Sequence, residues 1–220
     1  MAIVDLTIPI YHGMESFPGE PGGAFIRFAS IEGQGFLSHQ LLLYSHGGTH
    51  VDAPSHFLHD GSDVMAMPLE RLIGPAMVAD VDVREHGKDL ALKDIRWPKE
   101  PHAGDRVLLR TGWSKHWGRA DYFDSFPNLS IEVARFIADK GVAVLGLDTP
   151  TPNAQAAQAI HEILLGQGII IIEGLVNLEQ ITVSKGLLMC LPLAVVGLDG
   201  APARVVFATN SANDKVIDDG

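Results

Sequence analysis

His46-Gly47-Gly48-Thr49-His50-Val51-Asp52-Ala53-Pro54-Ser55-His56-Phe57 is the densest run of chemically able side chains in the protein. Three histidines and one aspartate occupy even positions within eleven residues. Along an extended strand alternate side chains share a face, so all four would point the same way. A fully extended run would nevertheless hold His46 and His56 roughly 33 Å apart at ~3.3 Å per residue, and no single ion would touch both. The chain is therefore expected to bend. Gly47 and Gly48 permit backbone angles closed to other residues, and Pro54 restricts Ala53 and interrupts regular pairing. A helical reading, with His46 and His50 spaced as in helical zinc proteases, fails on the intervening Gly-Gly-Thr and on the lack of a glutamate after His46.

Neutral imidazole and carboxylate are the usual ligands of zinc and other first-row divalent ions. A carboxylate can bridge two ions where an imidazole cannot, and Asp52, between His50 and His56, suits that role. An ion held there would acidify water and polarise a carbonyl, and a histidine outside the ligand set would carry protons. A lone histidine is ordinarily a packed or solvated residue. This density, among small residues and proline, argues for a metal site instead. Farther along, His161 lies on an expected helix and Glu173 follows the apolar run 169–172. A carboxylate ending a buried strand needs a partner, for which a metal, a backbone amide or an arginine would serve.

Around this centre the composition is that of an ordinary globular protein, with 46% hydrophobic and 20% charged residues. Residues 1–210 are read as a single domain, with a polar, frayed tail over 211–220. Runs rich in β-branched residues and bounded by turn signals predict strands over 25–31, 36–44, 76–83, 106–110, 142–147, 169–172, 191–197 and 203–208. Helices are expected over 130–140, with Ser130 as N-cap and Gly141 just past the end, over 154–165, and in a short piece over 64–72. Strands outnumber helices, so the class is mixed α/β and β-rich.

The formal net charge of -11 repels phosphate backbones, and no nucleic-acid partner is expected. The single cysteine, Cys190, sits in an apolar run and reads as a small buried hydrophobe; without an internal disulfide, a reducing compartment is the natural one. No secretory signal and no span of roughly 20 apolar residues is visible, so a cytoplasmic protein without a membrane partner is expected. A serine hydrolase is disfavoured by the lack of a Gly-x-Ser-x-Gly elbow, and a cupin-type dioxygenase by the lack of a His-x-His pair.

The His-x-Gly-Thr-His-x-Asp-x-Pro-x-His-Phe pattern from His46 to Phe57 resembles the signature of the cyclase family, which includes bacterial kynurenine formamidases and isatin hydrolases. The resemblance covers most of the chain. Val4-Asp5-Leu6-Thr7-Ile8-Pro9-Ile10 with Phe17-Pro18-Gly19 looks like the family's opening. Leu108 to Trp113, Phe126-Pro127-Asn128-Leu129-Ser130 and Gly146-Leu147-Asp148-Thr149-Pro150 look like its middle motifs, in the right order. It implies a swivelling β/β/α fold, a homodimer or homotetramer, and one Mn2+ or one or two Zn2+ ions. It also implies that His46, His50 and Asp52 bind a first metal with Glu173. Asp52 and Glu173 would bridge to a second metal completed by His161. His56 would be the general acid/base that hands a proton to a departing amine.

One departure concerns the substrate. Formamidases of the family typically carry a substrate-contacting tryptophan where this chain has Phe17, which keeps an aromatic face but loses the indole donor. The expected function is hydrolysis of a C–N bond in a small-molecule aryl formamide or cyclic amide. An isatin hydrolase-like or lactone-opening reaction is the alternative within enzymes. A non-catalytic metal-dependent binding protein is the alternative outside them, and the presence of His56 argues against it. Among other polar and aromatic residues, His59, His12 and His39 are expected at the surface. Trp113, His116 and Trp117 would line a pocket, at a subunit boundary or otherwise, or pack in the core. Asp148 would orient a ligand histidine or cap a turn.

Overall fold

The computed structural model describes residues 2–83 and 88–209, so the tail expected over 211–220 lies outside the described residues. In chain order the strands are β1 (Ala2–Asp5), β2 (Ala24–Ala29), β3 (Ser38–Leu42), β4 (His50–Asp52), β5 (Ile73–Val81), β6 (Asp89–Leu90), β7 (Ile95–Arg96), β8 (Arg106–Arg110), β9 (Asn128–Leu129), β10 (Val144–Leu147), β11 (Ile170–Glu173), β12 (Lys185–Pro192) and β13 (Gly200–Thr209). The α-helices are α1 (Ile31–Gln34), α2 (Leu69–Leu72), α3 (Ile131–Asp139) and α4 (Ala157–Gly166).

Among the described residues, seven strands close a ring in the order β4-β13-β12-β5-β8-β10-β11 and back to β4. β5, β8, β10 and β11 run parallel, and the remaining pairings of the ring are antiparallel. Leu108, Val144, Ile170, Ile172, Val205 and Phe207 belong to the core inside the ring. Their neighbours Val107, Leu109, Leu145, Leu147 and Ile171 belong to a second core, shared with Val133 and Ile137 of α3 and Ile160 and Leu164 of α4. Both faces are covered, which is why these strands are apolar at nearly every position. Inside the ring there is no room for a side chain at position 146, where a Cβ would meet Leu108 Cδ2 at 2.4 Å.

This alternation positions the site. Val51 packs inside the ring, so His50 and Asp52 of β4 face outward. On β11, Ile170 and Ile172 face in, which sends Glu173 out beside them. The antiparallel β4–β11 register sets Glu173 opposite His50 and Ile171 opposite Asp52. α4 covers the same face and brings His161 to it.

The helix over 131–139 is capped as expected, Ser130 Oγ accepting from the Val133 N–H at 3.3 Å. α4 starts at Ala157 rather than 154, because Asn153 Oδ1 accepts from the Gln155 and Ala156 N–H groups and holds them in a turn. The expected piece over 64–72 divides into a 3-10 turn, Val64–Ala66, and α2, with Pro68 between them. The strand expected over 191–197 is a correction: β12 runs over Lys185–Pro192, and residues 193–197 leave the sheet. Gly186 is a strand glycine lying under the Phe207 ring, which comes within 2.3 Å of where a Cβ would sit. The strands expected over 25–31 and 36–44 form a separate hairpin, β2–β3, around the short helical turn α1. No helix among the described residues is long and apolar enough to cross a membrane.

Candidate metal centre

The run from His46 to His56 bends at both ends of β4. Before it, the Gly47 N–H donates to the Tyr44 carbonyl at 3.1 Å and Gly48 takes a φ of 67°. After it, Pro54 opens a 3-10 turn, Pro54–His56. The Thr49 hydroxyl pins the segment, donating to the Gly174 carbonyl at 2.6 Å and accepting from the Ile8 N–H at 2.8 Å. As a result the His46 and His56 rings stack with centroids 3.9 Å apart.

Asp52 lies at the centre and is fully buried. Its Oδ1 is 2.9 Å from His46 Nδ1 and 3.4 Å from His50 Nε2, and its Oδ2 is 3.5 Å from His161 Nε2. Glu173 repeats the pattern, with Oε2 3.3 Å from His50 Nε2 and Oε1 3.4 Å from His161 Nε2. Each carboxylate thus turns one oxygen toward His50 and the other toward His161. The two rings are fixed from behind, since His50 Nδ1–H donates to the Gly48 carbonyl at 3.0 Å and His161 Nδ1–H to the Ala157 carbonyl at 2.7 Å. Their Nε2 lone pairs therefore face carboxylate lone pairs, an arrangement that is repulsive unless a proton or metal ion lies between. Both His50 Nε2 and Asp52 Oδ2 are buried without a hydrogen-bond partner. A tetrahedral ion at about 2.0–2.1 Å from its ligands spaces them about 3.3–3.4 Å apart. The contacts to His50 and His161 run from 3.3 to 3.5 Å, so His50, His161, Asp52 and Glu173 fit such an ion, while His46 Nδ1 sits at hydrogen-bond distance from Asp52.

The electrostatics agree. Burial opposes charge on His50 and His161, but the Asp52 and Glu173 carboxylates outweigh it, raising His50 well above its ordinary pKa and His161 to about 10. Burial likewise opposes ionisation of Asp52, but the histidines hold its pKa well below the usual carboxylate range. His161 has the higher pKa in the folded state, so its contribution to the stability of metal-free protein is complete below its ordinary value of 6.5. That contribution is lost as pH rises through about 10. Any metal must displace these protons. Zinc titration of metal-free protein at pH 7 is expected to release protons, and apparent affinity to rise about tenfold per pH unit for each proton displaced. Calorimetry in buffers of different ionisation enthalpy measures this; a titration with no proton release would contradict it.

His56 behaves differently. Burial lowers its pKa, reinforced by His46 and His161 and opposed by Asp52 and Glu173, which leaves a neutral imidazole at neutral pH. His46, by contrast, is raised, the Asp52 and Asp199 carboxylates overcoming burial.

A residue that sequence reasoning missed completes this side. Asp199 Oδ2 lies 3.0 Å from His46 Nε2 and 3.2 Å from His56 Nδ1. Asp199-Gly200 looks like an ordinary turn dipeptide. Only closure of the ring, through the β13–β4 pairing, carries it to the histidines.

The centre opens into a cavity of about 220 Å³ lined by Phe17, Phe57, Trp117 and Phe123, with Glu15 and Glu20 among its polar residues. Phe17 meets Phe123 edge to face at 5.7 Å, and Phe57 stacks on His161 at 4.2 Å. Trp117 is thus at the cavity, whereas Trp113 is buried behind it and stacks on His116 at 4.0 Å. Asp148 hydrogen-bonds to Thr111 and Gly112 rather than to a ligand histidine. It caps a turn, accepting from the Thr111 N–H and hydroxyl and the Gly112 N–H, and burial still lifts its pKa to about 6. His59, His12 and His39 are exposed, and Cys190 is buried with its thiol pKa raised by burial.

A closed strand ring with a histidine–carboxylate cluster on its outer face, under a helix, is the swivelling β/β/α arrangement of cyclase-type hydrolases. Residues 4–154 match the family described as "Putative cyclase", and the chain belongs to that family. It is 31% identical over 206 residues to the kynurenine formamidase of Bacillus mycoides (strain KBAB4), covering 92% of this chain and 95% of the relative. The solved structure of a potential metal-dependent hydrolase with cyclase activity is 31% identical, with a TM-score of 0.78 over 94% of this chain and 96% of that one. Isatin hydrolase A from Labrenzia aggregata, bound to benzyl benzoate, is 26% identical, with a TM-score of 0.80 over 94% and 93% of the two chains.

Proposed function

We propose that the protein is a metal-dependent amidohydrolase that cleaves the C–N bond of an aryl formamide. The observation that carries the reading is the division of each carboxylate of Asp52 and Glu173 between His50 and His161. His46, His50, Asp52 and Glu173 would hold one ion, and Asp52, Glu173 and His161 would hold a second. Histidine and carboxylate donors suit Zn2+ or Mn2+. When bound, such an ion acidifies water and polarises a carbonyl.

The chain's own residues supply the rest. The aromatic wall of Phe17, Trp117 and Phe123 holds an aryl ring and excludes water from it. His56, neutral and at the cavity, takes a proton from the attacking water. As the C–N bond breaks, the same imidazole returns that proton to the nitrogen, so a neutral arylamine and formic acid leave, the acid giving its remaining proton to solvent as formate. An amide needs this transfer more than an ester does, because an amide anion is a poor leaving group. A cyclic amide such as isatin is the second reading, favoured by the 26% identity to isatin hydrolase A. The exposed Ile26 and Phe28 of the β2–β3 hairpin support the expected homodimer or homotetramer.

A zinc- or manganese-loaded preparation offered N-formylkynurenine, isatin and a lactone panel tests the assignment. The formamide is expected to show the highest kcat/KM. No turnover on any member at full metal occupancy would contradict the enzyme reading.

A further inference from the structure

We infer that Asp199 is a positioning residue that fixes the tautomers of His46 and His56 together through one carboxylate oxygen. A carboxylate can only accept, so the two ring atoms that face Oδ2, His46 Nε2 at 3.0 Å and His56 Nδ1 at 3.2 Å, are the ones that carry hydrogen. In the neutral imidazoles this leaves the lone pair on Nδ1 of His46 and on Nε2 of His56. His46 Nδ1 lies 2.9 Å from Asp52 Oδ1, so in the metal-free protein a second proton fills that contact, and a metal ion would displace it to reach the Nδ1 lone pair.

His50 and His161 are set the opposite way, donating through Nδ1 to backbone carbonyls and turning Nε2 toward the carboxylates. Among the proposed ligand histidines, His46 alone would bind through Nδ1, and Asp199 stands where the others have a carbonyl. A carboxylate behind an imidazole makes it a more basic ligand and fixes its orientation.

The surroundings hold the clamp. A Cβ at position 200 would lie 2.6 Å from His46 Cε1, so Gly200 is what lets the ring sit against β13. The Asp199 carbonyl accepts from the Ala53 N–H at 2.8 Å, tying it to the strand that carries Asp52. The Asp199 side chain itself is 42% exposed, so its substitution removes no core packing.

The turnover part of this inference rests on the proposed hydrolase reading; the metal part does not. Asp199→Asn, Asp199→Ala and Asp199→Glu would be compared with the parent, by zinc affinity in chelator competition and by kcat and KM on N-formylkynurenine. The Asn and Ala variants are expected to bind zinc about 10–100-fold more weakly. Their kcat should fall while KM holds, and Glu should recover part of both losses. In a His56→Ala background, Asp199→Asn should weaken zinc again but take little more from kcat, because the two residues act as a unit. Parent-like zinc affinity and kcat in the Asn and Ala variants would overturn the inference. An equal proportional loss of kcat with and without His56 would overturn the route through that ring. If the parent cleaves no formamide, zinc affinity alone decides the role of Asp199, so the two readings fail separately.

Discussion

His56→Ala is expected to lower kcat by about 10²–10⁴-fold, the usual contribution of a positioned acid/base, while bound metal stays at the parent level. The side chain stacks on His46, borders the cavity and lies within reach of Asp52 and His161, so metal content is read alongside turnover. Burial and two neighbouring imidazoles keep it neutral, the state a base needs, at neutral pH. KM should change little, because the aromatic wall that holds the substrate is untouched. Metal analysis and steady-state kinetics on the same preparation measure this. A loss of metal in proportion to the loss of turnover would make His56 a ligand and remove its assigned role.

Asp52→Asn should be more severe, abolishing metal binding and turnover together. Asp52 is the hub of the cluster, in contact with His46, His50 and His161. An amide is nearly the same shape but has no charge and one fewer acceptor oxygen. In the metal-free protein His50 and His161 would then lose one of the two carboxylates that raise their pKa values, and both should titrate closer to 6.5. Metal content by elemental analysis and histidine titration by NMR read the two effects. An Asn variant that retains the full complement of metal would contradict the central place given to Asp52.

The metal cluster was legible because its chemistry is concentrated in one short segment. His46, His50, Asp52 and His56 declare themselves by type and spacing, and the glycines and proline announce that the segment must turn. His161 and Glu173 were legible only as a helix histidine and a strand-end carboxylate, since local sequence does not reveal that β11 pairs with β4. Asp199 was hidden for the same reason, being joined to the histidines by a pairing across nearly the whole chain. In the fold, the parallel strands stood out as apolar runs buried on both faces. β12 did not, because Gly186, which makes room for the Phe207 ring, interrupts its run of apolar side chains. Pro68 similarly broke a helix whose apolar pattern ran on through it. Asp148 showed the limit of reading roles from strand ends: the same position that suits an orienting carboxylate also suits a turn cap, and only the contacts distinguish them.

The proposed amide hydrolysis depends on a metal held by the His46, His50, Asp52, His161 and Glu173 cluster. Stripping the protein with a chelator and reloading it stepwise with zinc, while following N-formylkynurenine cleavage and bound metal together, tests this most directly. Turnover is predicted to vanish on stripping and to return in step with metal bound to the protein. Undiminished turnover in fully stripped protein would contradict the account.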